Sequence, residues 1–333
     1  MRTMNHHPKP MSQTNVKLLK FVLNNKALIL LVIAFLVSVI WTGGNTISRF
    51  NLTSLMRQMP AYAIMAVGYT VIFTTGQFDM SAGSVLSLCT IVYATLSLHY
   101  PLAVAIFCVM LLSVAVGLVN GAIIRTFNLN AFVLTLATGQ MIDGISGQIT
   151  GGANVSGLST GAKFLGQSLM FGMFPVSFIV AISIIVVVSV MLSKTLFGRH
   201  LVATGANLEA AKVSGIKITA IRIAAYGIIG ACAGITSIIL TGRLGMGSPT
   251  AGATYTLDCI AAVIIGGTAM RGGKPKVGGT LFGMGLIVVI NNMLSLMGIN
   301  TYWQMVSKGA IIAIAIILDA LSEKFAAMQR ANG

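Results

Sequence analysis

One acidic residue lies in a short polar stretch between two long apolar runs of the sequence. The chain contains six Asp and Glu residues among 333, and one of them, Asp79, lies within TTGQFDMSAGS at residues 74–84. A carboxylate just before a helix accepts hydrogen bonds from the free backbone N–H groups of the first turn, where the helix dipole also favours negative charge. We therefore expect Asp79 to cap the following helix by accepting from the N–H groups of Ser81 and Ala82.

The same stretch supports a second interpretation, in which the chain is broken inside a membrane. Gly76 and Gly83 are able to unwind a helix, and irregular backbone at that depth is tolerated only where protein buries it or where it lines a water-filled cavity. Ionisable side chains at that depth mark pathways. In this interpretation Ser81, Ser84 and Ser87 face water, and Asp79 borders the pathway. The two interpretations are compatible, and the sequence leaves both open.

Other polar side chains within apolar runs extend this candidate pathway. Gln140 lies in one such run, and Asn291 and Asn292 lie in another, although interhelical hydrogen bonds are the favoured interpretation for the two asparagines. Asp258 is interpreted as a cap at the external end of a later span. The candidate substrate pathway therefore consists of Asp79, Ser81, Ser84, Gln140, Asn291 and Asn292.

The elements that must position these residues are membrane helices. Apolar residues make up 56% of the chain, charged residues only 8%, and the mean hydropathy is +0.92, whereas a soluble domain carries about 25% charged residues. Since about 20 apolar residues span a bilayer, we predict an all-α, polytopic bundle of about ten transmembrane helices. The predicted segments are 27–42, 60–76, 82–98, 101–124, 131–149, 175–193, 222–242, 257–270, 277–297 and 303–320.

The distribution of basic residues predicts the orientation of the bundle. The net charge is +15, and we attribute it to basic loops on the cytoplasmic side rather than to nucleic-acid binding. With an even number of spans, the tails at 1–26 and 321–333 are both cytoplasmic and flank a membrane domain at 27–320. The longest external connections are then 43–59 and 150–174. The Lys and Arg residues predicted outside are only Arg49, Arg57, Lys163 and Arg243.

Patterns for a cofactor, a metal or catalysis are absent from the sequence. It contains no GxxxxGK[ST] nucleotide-binding motif and no HExxH, and its four cysteines lack metal-type spacing. The stretch GGTAMRGGKPKVGGT at 266–280 joins two apolar runs, so its glycines are interpreted as tight turns and close packing. The pairs Gly117–Gly121 and Gly279–Gly283 are interpreted as packing within the chain, with a dimer face as the alternative. We predict a protein that is not an enzyme and holds neither cofactor nor metal.

The connection at 194–221 is predicted to carry a short helix on the cytoplasmic face. Asn207 is a favourable N-cap, Glu209 falls in the first turn, and Gly215 can adopt the left-handed conformation that ends a helix. About two turns of helix are marginal in isolation. Either a docking partner or the anionic surface of the membrane is expected to stabilise it, and the residues do not decide between the two.

Four stretches resemble the permease subunits of ATP-binding-cassette importers, in the sugar branch that includes ribose permeases. One is EAAKVSG at 209–215, which resembles their cytoplasmic coupling loop. Another is YAIMAVGYTVIFTTGQFDMSAGSVLSL at 62–88, with the signature Gly-x-x-Asp-x-Ser-x-Gly-Ser. The others are SPTAGATYTLDCIAAVIIGGTAMRGGKPKVGGTLFG at 248–283 and NNMLSLMGINTYWQMVSKGAI at 291–311. The similarity extends over about residues 20 to 320, and the blocks occur in the family's order.

This resemblance implies an ATP-driven importer of a monosaccharide in the bacterial inner membrane. It implies three partners: an ATPase that binds the ATP, a periplasmic sugar-binding protein, and a second permease that is a copy or a paralogue. Membrane lipid surrounds the chain, and nucleic acid is not a partner. The alternative is an ion-coupled secondary transporter for a small polar solute. The residues implied in coupling to the ATPase are Gly205, Asn207, Glu209, Ala210, Ala211 and Gly215.

Overall fold

The computed structural model describes residues 25–172, 174–300, 302–307, 309, 310, 313 and 317. Most of the two predicted tails, and half of the predicted span at 303–320, lie outside these residues. The remaining nine predicted segments each contain a helix.

The described part of the chain folds as a bundle of helices with one small hairpin. The hairpin pairs β1 (Leu169–Met170) with β2 (Phe174–Pro175) in antiparallel register. A 3₁₀ turn at Asn45–Ile47 precedes the second helix. The helices are α1 (Lys26–Trp41), α2 (Arg49–Thr74), α3 (Ala82–His99), α4 (Leu102–Thr126), α5 (Ala131–Thr150), α6 (Thr160–Gln167), α7 (Ser177–Lys194), α8 (Leu196–Ala206), α9 (Leu208–Val213), α10 (Ile218–Leu244), α11 (Tyr255–Ile265) and α12 (Val277–Leu296).

Two connections predicted as external loops contain helix. Helix α2 begins at Arg49 because Ser48 caps it, its hydroxyl accepting from the N–H of Asn51 at 3.3 Å. Its first turns are polar, so hydrophobicity alone did not reveal them. Within 150–174, Ser159 caps α6 in the same way, through the N–H of Ala162. These helices start at local capping signals rather than at apolar runs.

The centre of the bundle is formed by α2 and α10, which pack closely against each other. A Cβ atom at Gly68 of α2 would lie 2.9 Å from the Cβ of Cys232 of α10, so only glycine permits this approach. Gly117 and Gly121 of α4 pack on the α10 backbone around Tyr226. Gly279 and Gly283 of α12 likewise pack against α11. These glycine pairs therefore serve packing within the chain, as predicted.

The outer helices of the bundle present apolar surface. Five helices, namely α3, α4, α7, α10 and α12, are long and apolar enough to cross a membrane. Helices α4 and α7 are mostly unburied along their apolar windows, and their exposed side chains include Phe107, Leu111, Ile182 and Val187. A soluble protein rarely exposes apolar surface on this scale. The fold is therefore a helical membrane bundle, and α2, which is buried at every position from Pro60 to Thr74 except Ala63, is largely shielded from lipid.

Three connections meet at one end of the bundle. The end of α2 contacts Gly205 at the end of α8, and both contact the turn at Gly272 and Gly273 before α12. We call this the basic end, because the Lys and Arg residues of the segments 194–222 and 271–276 lie on it. Arg57, Lys163 and Arg243 lie together at the other end, around Gln167.

Two helices begin inside the bundle rather than at its ends. The loop at 245–254 turns back along α3: the N–H of Ser248 donates to the Thr90 hydroxyl at 3.0 Å, and the N–H of Gly252 donates to the Ser87 hydroxyl at 2.8 Å. Thr90, which the loop contacts first, lies seven residues after Gly83, so the loop runs back by about 10 Å along α3. Helix α11 therefore starts next to the start of α3, where Thr256 accepts from the N–H of Gly83 at 3.0 Å.

Candidate functional site: a re-entrant turn and a coupling helix

Asp79 is the first of four side chains that form a continuous hydrogen-bonded chain, which we call the Asp79 chain. Asp79 lies in the turn at 75–81, which we call the re-entrant turn. Asp79 Oδ1 accepts from the backbone N–H of Ser81 at 2.7 Å and from its hydroxyl at 2.6 Å. Ser81 Oγ in turn accepts from Asn120 Nδ2 of α4 at 3.0 Å. Asn120 Oδ1 accepts from the Thr138 hydroxyl of α5, also at 3.0 Å. These hydrogen bonds connect the start of α3 to both α4 and α5.

The position of this chain shows the predicted helix cap and places the break inside the bundle, but Ser81, at 1% exposure, does not face water as the second interpretation expected. The carboxylate caps α3 through Ser81 and interacts with the N–H of Ala82. Asn120 lies almost two turns before the end of α4, and Thr138 almost two turns after the start of α5, which places Ser81 about 10 Å inside the ends of these helices. The break therefore lies within the bundle. Asp79 is only 2% exposed in this conformation.

The irregular backbone of the re-entrant turn is satisfied by side chains from three helices. Tyr69 of α2 donates to the Asp79 carbonyl at 3.0 Å, and Tyr226 of α10 donates to the Phe78 carbonyl at 2.9 Å. The N–H of Met80 donates to the Thr135 hydroxyl of α5 at 2.9 Å. Unpaired backbone groups are costly away from water, so these bonds explain how the break is tolerated.

Sequence reasoning missed three members of this site: Tyr69, Asn120 and Tyr226. The only signal available was the presence of each polar group within an apolar run, which by itself does not say where the group points. Asn120, inside LLSVAVGLVNGAIIR, was the most visible of them. A carboxamide in such a run needs hydrogen-bond partners, and Asn120 has two, Ser81 and Thr138.

The other predicted pathway residues are divided between three places. Ser84 lies next to Gly139 of α5, close to the Asp79 chain. Gln140 is exposed on the opposite side of α5. Asn292 exchanges two hydrogen bonds with Asn51, at 2.9 and 2.7 Å, which is the interhelical pairing favoured from the sequence. Asn291 is half-buried beside it. Because Asn51 lies near the other end of α2, 18 residues before Tyr69, the two asparagines are about 25 Å from the Asp79 chain.

Two expectations on the half-helices need correction. Ser87 does not face water, because it is buried and accepts from the N–H of Gly252. Asp258 does not cap a span at the external end, because α11 begins inside the bundle and Asp258 is 1% exposed in its first turn. Tyr62 donates to Asp258 Oδ2 at 3.4 Å and stacks on Tyr255 with ring centroids 4.1 Å apart.

The starts of α3 and α11 thus lie side by side in the interior, and each has an acidic residue. Helix N-termini carry partial positive charge, and an acidic side chain near them is stabilising. Asp79 precedes α3 and Asp258 lies in the first turn of α11. Both acidic residues are buried in this conformation, Asp79 at 2% and Asp258 at 1% exposure.

The predicted short helix is present as α9. Asn207 Oδ1 accepts from the N–H of Ala210 at 3.0 Å, and Glu209 lies in the first turn. Gly215 has a φ of +77°, and the N–H of Ile216 returns to the Ala211 carbonyl at 3.1 Å, which ends the helix in a left-handed cap. The helix was predictable because its start and its end are both encoded locally.

The predicted coupling residues differ in exposure. Asn207, Glu209, Ala210 and Gly215 are exposed, whereas Ala211 is buried and Gly205 is half-buried. Two apolar side chains of α9 are also open to solvent: Leu208 is 36% exposed and Val213 is 89% exposed. The outer surface of α9 therefore combines an acid with apolar groups and has no cover in the described part of the chain.

A junction made of backbone atoms connects α8 and α9 to the re-entrant turn. We call it the glycine junction; it consists of Thr74, Gly76, Gly205, Gly272 and Gly273. The N–H of Gly273 donates to the Thr74 carbonyl at 2.9 Å. A Cβ atom at Gly205 would overlap that same carbonyl, and one at Gly76 would lie 3.0 Å from the Arg271 carbonyl. The three connections are therefore in direct backbone contact, without intervening side chains that could adjust.

These features define a membrane transport subunit with a broken-helix interior and an exposed peripheral helix. The chain belongs to the family described as the permease component of branched-chain amino acid transport systems, whose model matches residues 51–316. Permease components are transport subunits rather than enzymes, in agreement with the sequence prediction. No solved structure was found to match the chain.

The curated relatives are more specific than the family description. The chain is 36% identical over 272 residues to the ribose import permease protein of Bacillus subtilis, which covers 81% of this chain and 84% of the relative. It is 35% identical over 309 residues to that of Escherichia coli, covering 90% and 94%. It is 32% identical over 330 residues to the galactose/methyl galactoside import permease protein of Escherichia coli, covering 93% and 98%. The resemblance to ribose permeases is confirmed, and the ion-coupled alternative is not favoured.

Proposed function

We propose that the chain is the membrane-spanning permease subunit of an ATP-driven importer that moves a monosaccharide across a bacterial inner membrane. Relatives named for ribose and galactose import support the substrate class. The structural observation that carries the proposal is the glycine junction, which joins an uncovered peripheral helix to a broken-helix interior. The basic end and both tails face the cytoplasm, because positive charge is retained on that side. The chain itself holds no cofactor.

Helix α9 is the contact for a separate ATPase subunit, which binds the ATP. Six residues of helix bury too little to be stable alone, and the exposed Leu208, Glu209 and Val213 provide both apolar area and a charge for a docked protein. The predicted coupling residues Asn207 and Gly215 shape the helix at its two ends. Ala211 holds it onto the bundle.

Movement of α8 and α9 reaches the pathway through the glycine junction. Backbone groups in contact at van der Waals distance cannot move independently, since close-packed atoms transmit displacement. A shift of Gly205 therefore displaces Thr74, and with it the re-entrant turn that holds Asp79 and Ser81. For ATP to drive transport, the ATPase must bind the two conformations of the permease with different affinity.

The translocation path runs between two permease subunits and involves Gln140. Polar side chains at membrane depth require water or protein around them, and on α5 Gln140, Asp143 and Gln148 are all exposed. A second copy or a paralogue facing this surface encloses a polar channel. A periplasmic sugar-binding protein delivers the sugar to its outer mouth.

The direct test is uptake by a reconstituted system. Proteoliposomes that contain the chain, its ATPase and its binding protein should accumulate labelled ribose or galactose only when ATP is present on the ATPase side. Accumulation by the chain alone, abolished by a protonophore, would establish the ion-coupled alternative instead.

The role of α9 is tested by Glu209→Lys. Reversing the charge in the first turn opposes the helix dipole and changes the docking surface, so co-purification of the ATPase and ATP-dependent uptake should both fall by about tenfold. Ser214→Lys adds a positive charge at the exposed end of the same helix and serves as the matched control. If uptake requires the ATPase, but Glu209→Lys still co-purifies with the ATPase and still takes up sugar with ATP, then α9 is a lipid-surface helix and not the contact for the ATPase.

A further inference from the structure

A polar cavity opens at the basic end, and no residue of α9 lines it. It has a volume of about 320 Å³ and lies between the end of α4, the starts of α5 and α10, and the re-entrant turn. Arg125 of α4 and Arg222 of α10 line it, together with Gln77, Asn130 and Phe132. None of the residues that line the cavity is acidic.

The two arginines of this cavity lack partners in the described part of the chain. The Nε atoms of Arg125 and Arg222 are both buried and make no hydrogen bond there. Their guanidinium groups are close enough to repel each other. A half-buried pair of like charges is unfavourable unless an anion accompanies it. Guanidinium groups have the donor geometry that suits phosphate oxygens, and two of them can bind one phosphate from two sides.

The surroundings of the cavity indicate an amphiphilic ligand. Phe127, Leu129 and Phe132 follow one another around the α4–α5 connection and are 68%, 44% and 46% exposed. Leu129 and Phe132 also border the cavity itself. A polar, cationic pocket at the ends of membrane helices with an apolar rim matches a lipid whose headgroup is bound and whose chains lie along the rim.

We propose that the Arg125–Arg222 cavity binds the phosphate group of an anionic phospholipid from the leaflet at the basic end. The site is separate from ATPase docking and from the sugar path. The bound headgroup lies against Gln77, next to Phe78, whose carbonyl is held by Tyr226 one turn after Arg222 on α10. The lipid thus stabilises the re-entrant turn at Gly76, Gln77 and Phe78, all of which line the cavity.

The experiment compares the thermal unfolding of the full chain in nanodiscs of phosphatidylcholine alone and of phosphatidylcholine mixed with phosphatidylglycerol. Phosphatidylglycerol should raise the Tm of the wild type and should not raise that of Arg125→Gln/Arg222→Gln. The double variant Lys194→Gln/Arg199→Gln removes two exposed charges at the same end and should respond as the wild type does. In native mass spectrometry, the Arg125→Gln/Arg222→Gln variant should retain about tenfold less phosphatidylglycerol.

The Tm of the same variants in phosphatidylcholine alone distinguishes loss of the lipid site from loss of the fold. In phosphatidylcholine alone, Arg125→Gln/Arg222→Gln should be at least as stable as the wild type, because it removes two unpaired like charges. A lower Tm there, or an equal response of both double variants to phosphatidylglycerol, overturns the proposal.

Two further arms distinguish other anions. If inorganic phosphate added to the detergent-solubilised chain raises the Tm as much as phosphatidylglycerol does, the cavity is a small-anion site and the lipid assignment is wrong. If Arg125→Gln/Arg222→Gln binds phosphatidylglycerol normally but loses the ATPase subunit in co-purification, the arginines bind protein and the proposal is wrong.

Discussion

At the scale of single residues, Asp79 acts as a hydrogen-bond acceptor before it acts as a charge. Both of its bonds to Ser81 end on one oxygen, Oδ1, and an asparagine side chain offers the same oxygen. We therefore expect Asp79→Asn to keep the Tm of the purified chain nearly unchanged. Asp79→Ala leaves the buried N–H of Ser81 without a partner and should destabilise the chain by about 1–2 kcal/mol.

The matched control for this pair of variants is Ser84→Ala. Ser84 is half-buried five residues after Asp79, and removal of its hydroxyl leaves the Asp79–Ser81 bonds in place. Thermal unfolding in detergent distinguishes the outcomes. Equal loss in Asp79→Asn and Asp79→Ala would show that the negative charge itself, rather than the acceptor, supports the turn.

The contrast between Asn207 and Asp79 shows what a sequence can reveal at this scale. The cap at Asn207 depends on Ala210, three residues away, and it was predictable in full. The turn around Asp79 is instead held by Asn120, which donates to Ser81, and by Tyr226, which donates to the Phe78 carbonyl. Both come from other helices, and the direction of a side chain in an apolar run cannot be predicted without the packing. The sequence therefore predicted the Asp79 cap but could not decide the depth of the break.

At the scale of elements, the glycine junction fixes α8 to the end of α2. Gly205→Ala places a methyl group on the Thr74 carbonyl, where only backbone can yield, so overpacking should cost about 1–3 kcal/mol or displace the coupling segment. We expect ATP-dependent uptake to be lost while α9, which is unaltered, still binds the ATPase. Uptake and co-purification, measured in parallel, test this separation.

Gly278→Ala is the control for Gly205→Ala. Gly278 lies in the first turn of α12, and a Cβ atom there meets nothing within 4 Å, so the change should preserve transport and stabilise the helix by about 0.5–1 kcal/mol. Normal uptake by Gly205→Ala would mean that the junction tolerates rearrangement and does not couple the two elements.

The cap of α9 gives a graded test of the docking helix. Asn207→Ala removes the acceptor for the N–H of Ala210 and should weaken the helix by about 1 kcal/mol, which lowers ATPase affinity by about fivefold if the helix must be formed to dock. Asn207→Asp preserves the acceptor and should bind as the wild type does. Titration of the ATPase against the wild type and both variants measures these affinities. Equal affinity of the wild type, Asn207→Asp and Asn207→Ala would show that docking does not require the folded helix.

Helix boundaries followed the sequence where apolar runs coincided with helices and deviated where they did not. Helix α3 begins at Ala82, as the apolar segment predicted. Helix α11 ends at Ile265, before the predicted 270, and its start is covered by the loop that folds back along α3. An apolar run predicts the length of a helix that spans the lipid, because the bilayer thickness sets that length. A half-helix buried in protein has no such constraint, so the apolar run does not predict where it ends.

At the scale of the whole molecule, a single copy of the chain leaves the polar surface of α5 exposed. The Asp79 chain is buried, whereas Gln140, Asp143 and Gln148 are exposed along α5. Gly144 and Gly147, on the same helix, would each accept a side chain without contact. This strip of small and polar residues runs beside the exposed apolar side chains of Met141 and Ile145. Polar groups at membrane depth are unstable against lipid, so the strip is suited to face a second permease subunit across water.

This arrangement predicts where two copies approach each other in the assembled transporter. In a Cys108→Ala background, which removes the only partly exposed cysteine of the described residues, Gln140→Cys should form an intermolecular cross-link with a short bifunctional thiol reagent. Val186→Cys, 53% exposed on α7, faces lipid in this arrangement and should remain monomeric. Because the path opens and closes during transport, ATP with the ATPase should alter the rate of the Gln140→Cys cross-link. Cross-linking through Val186→Cys alone would place the second subunit against α7 and remove Gln140 from the path.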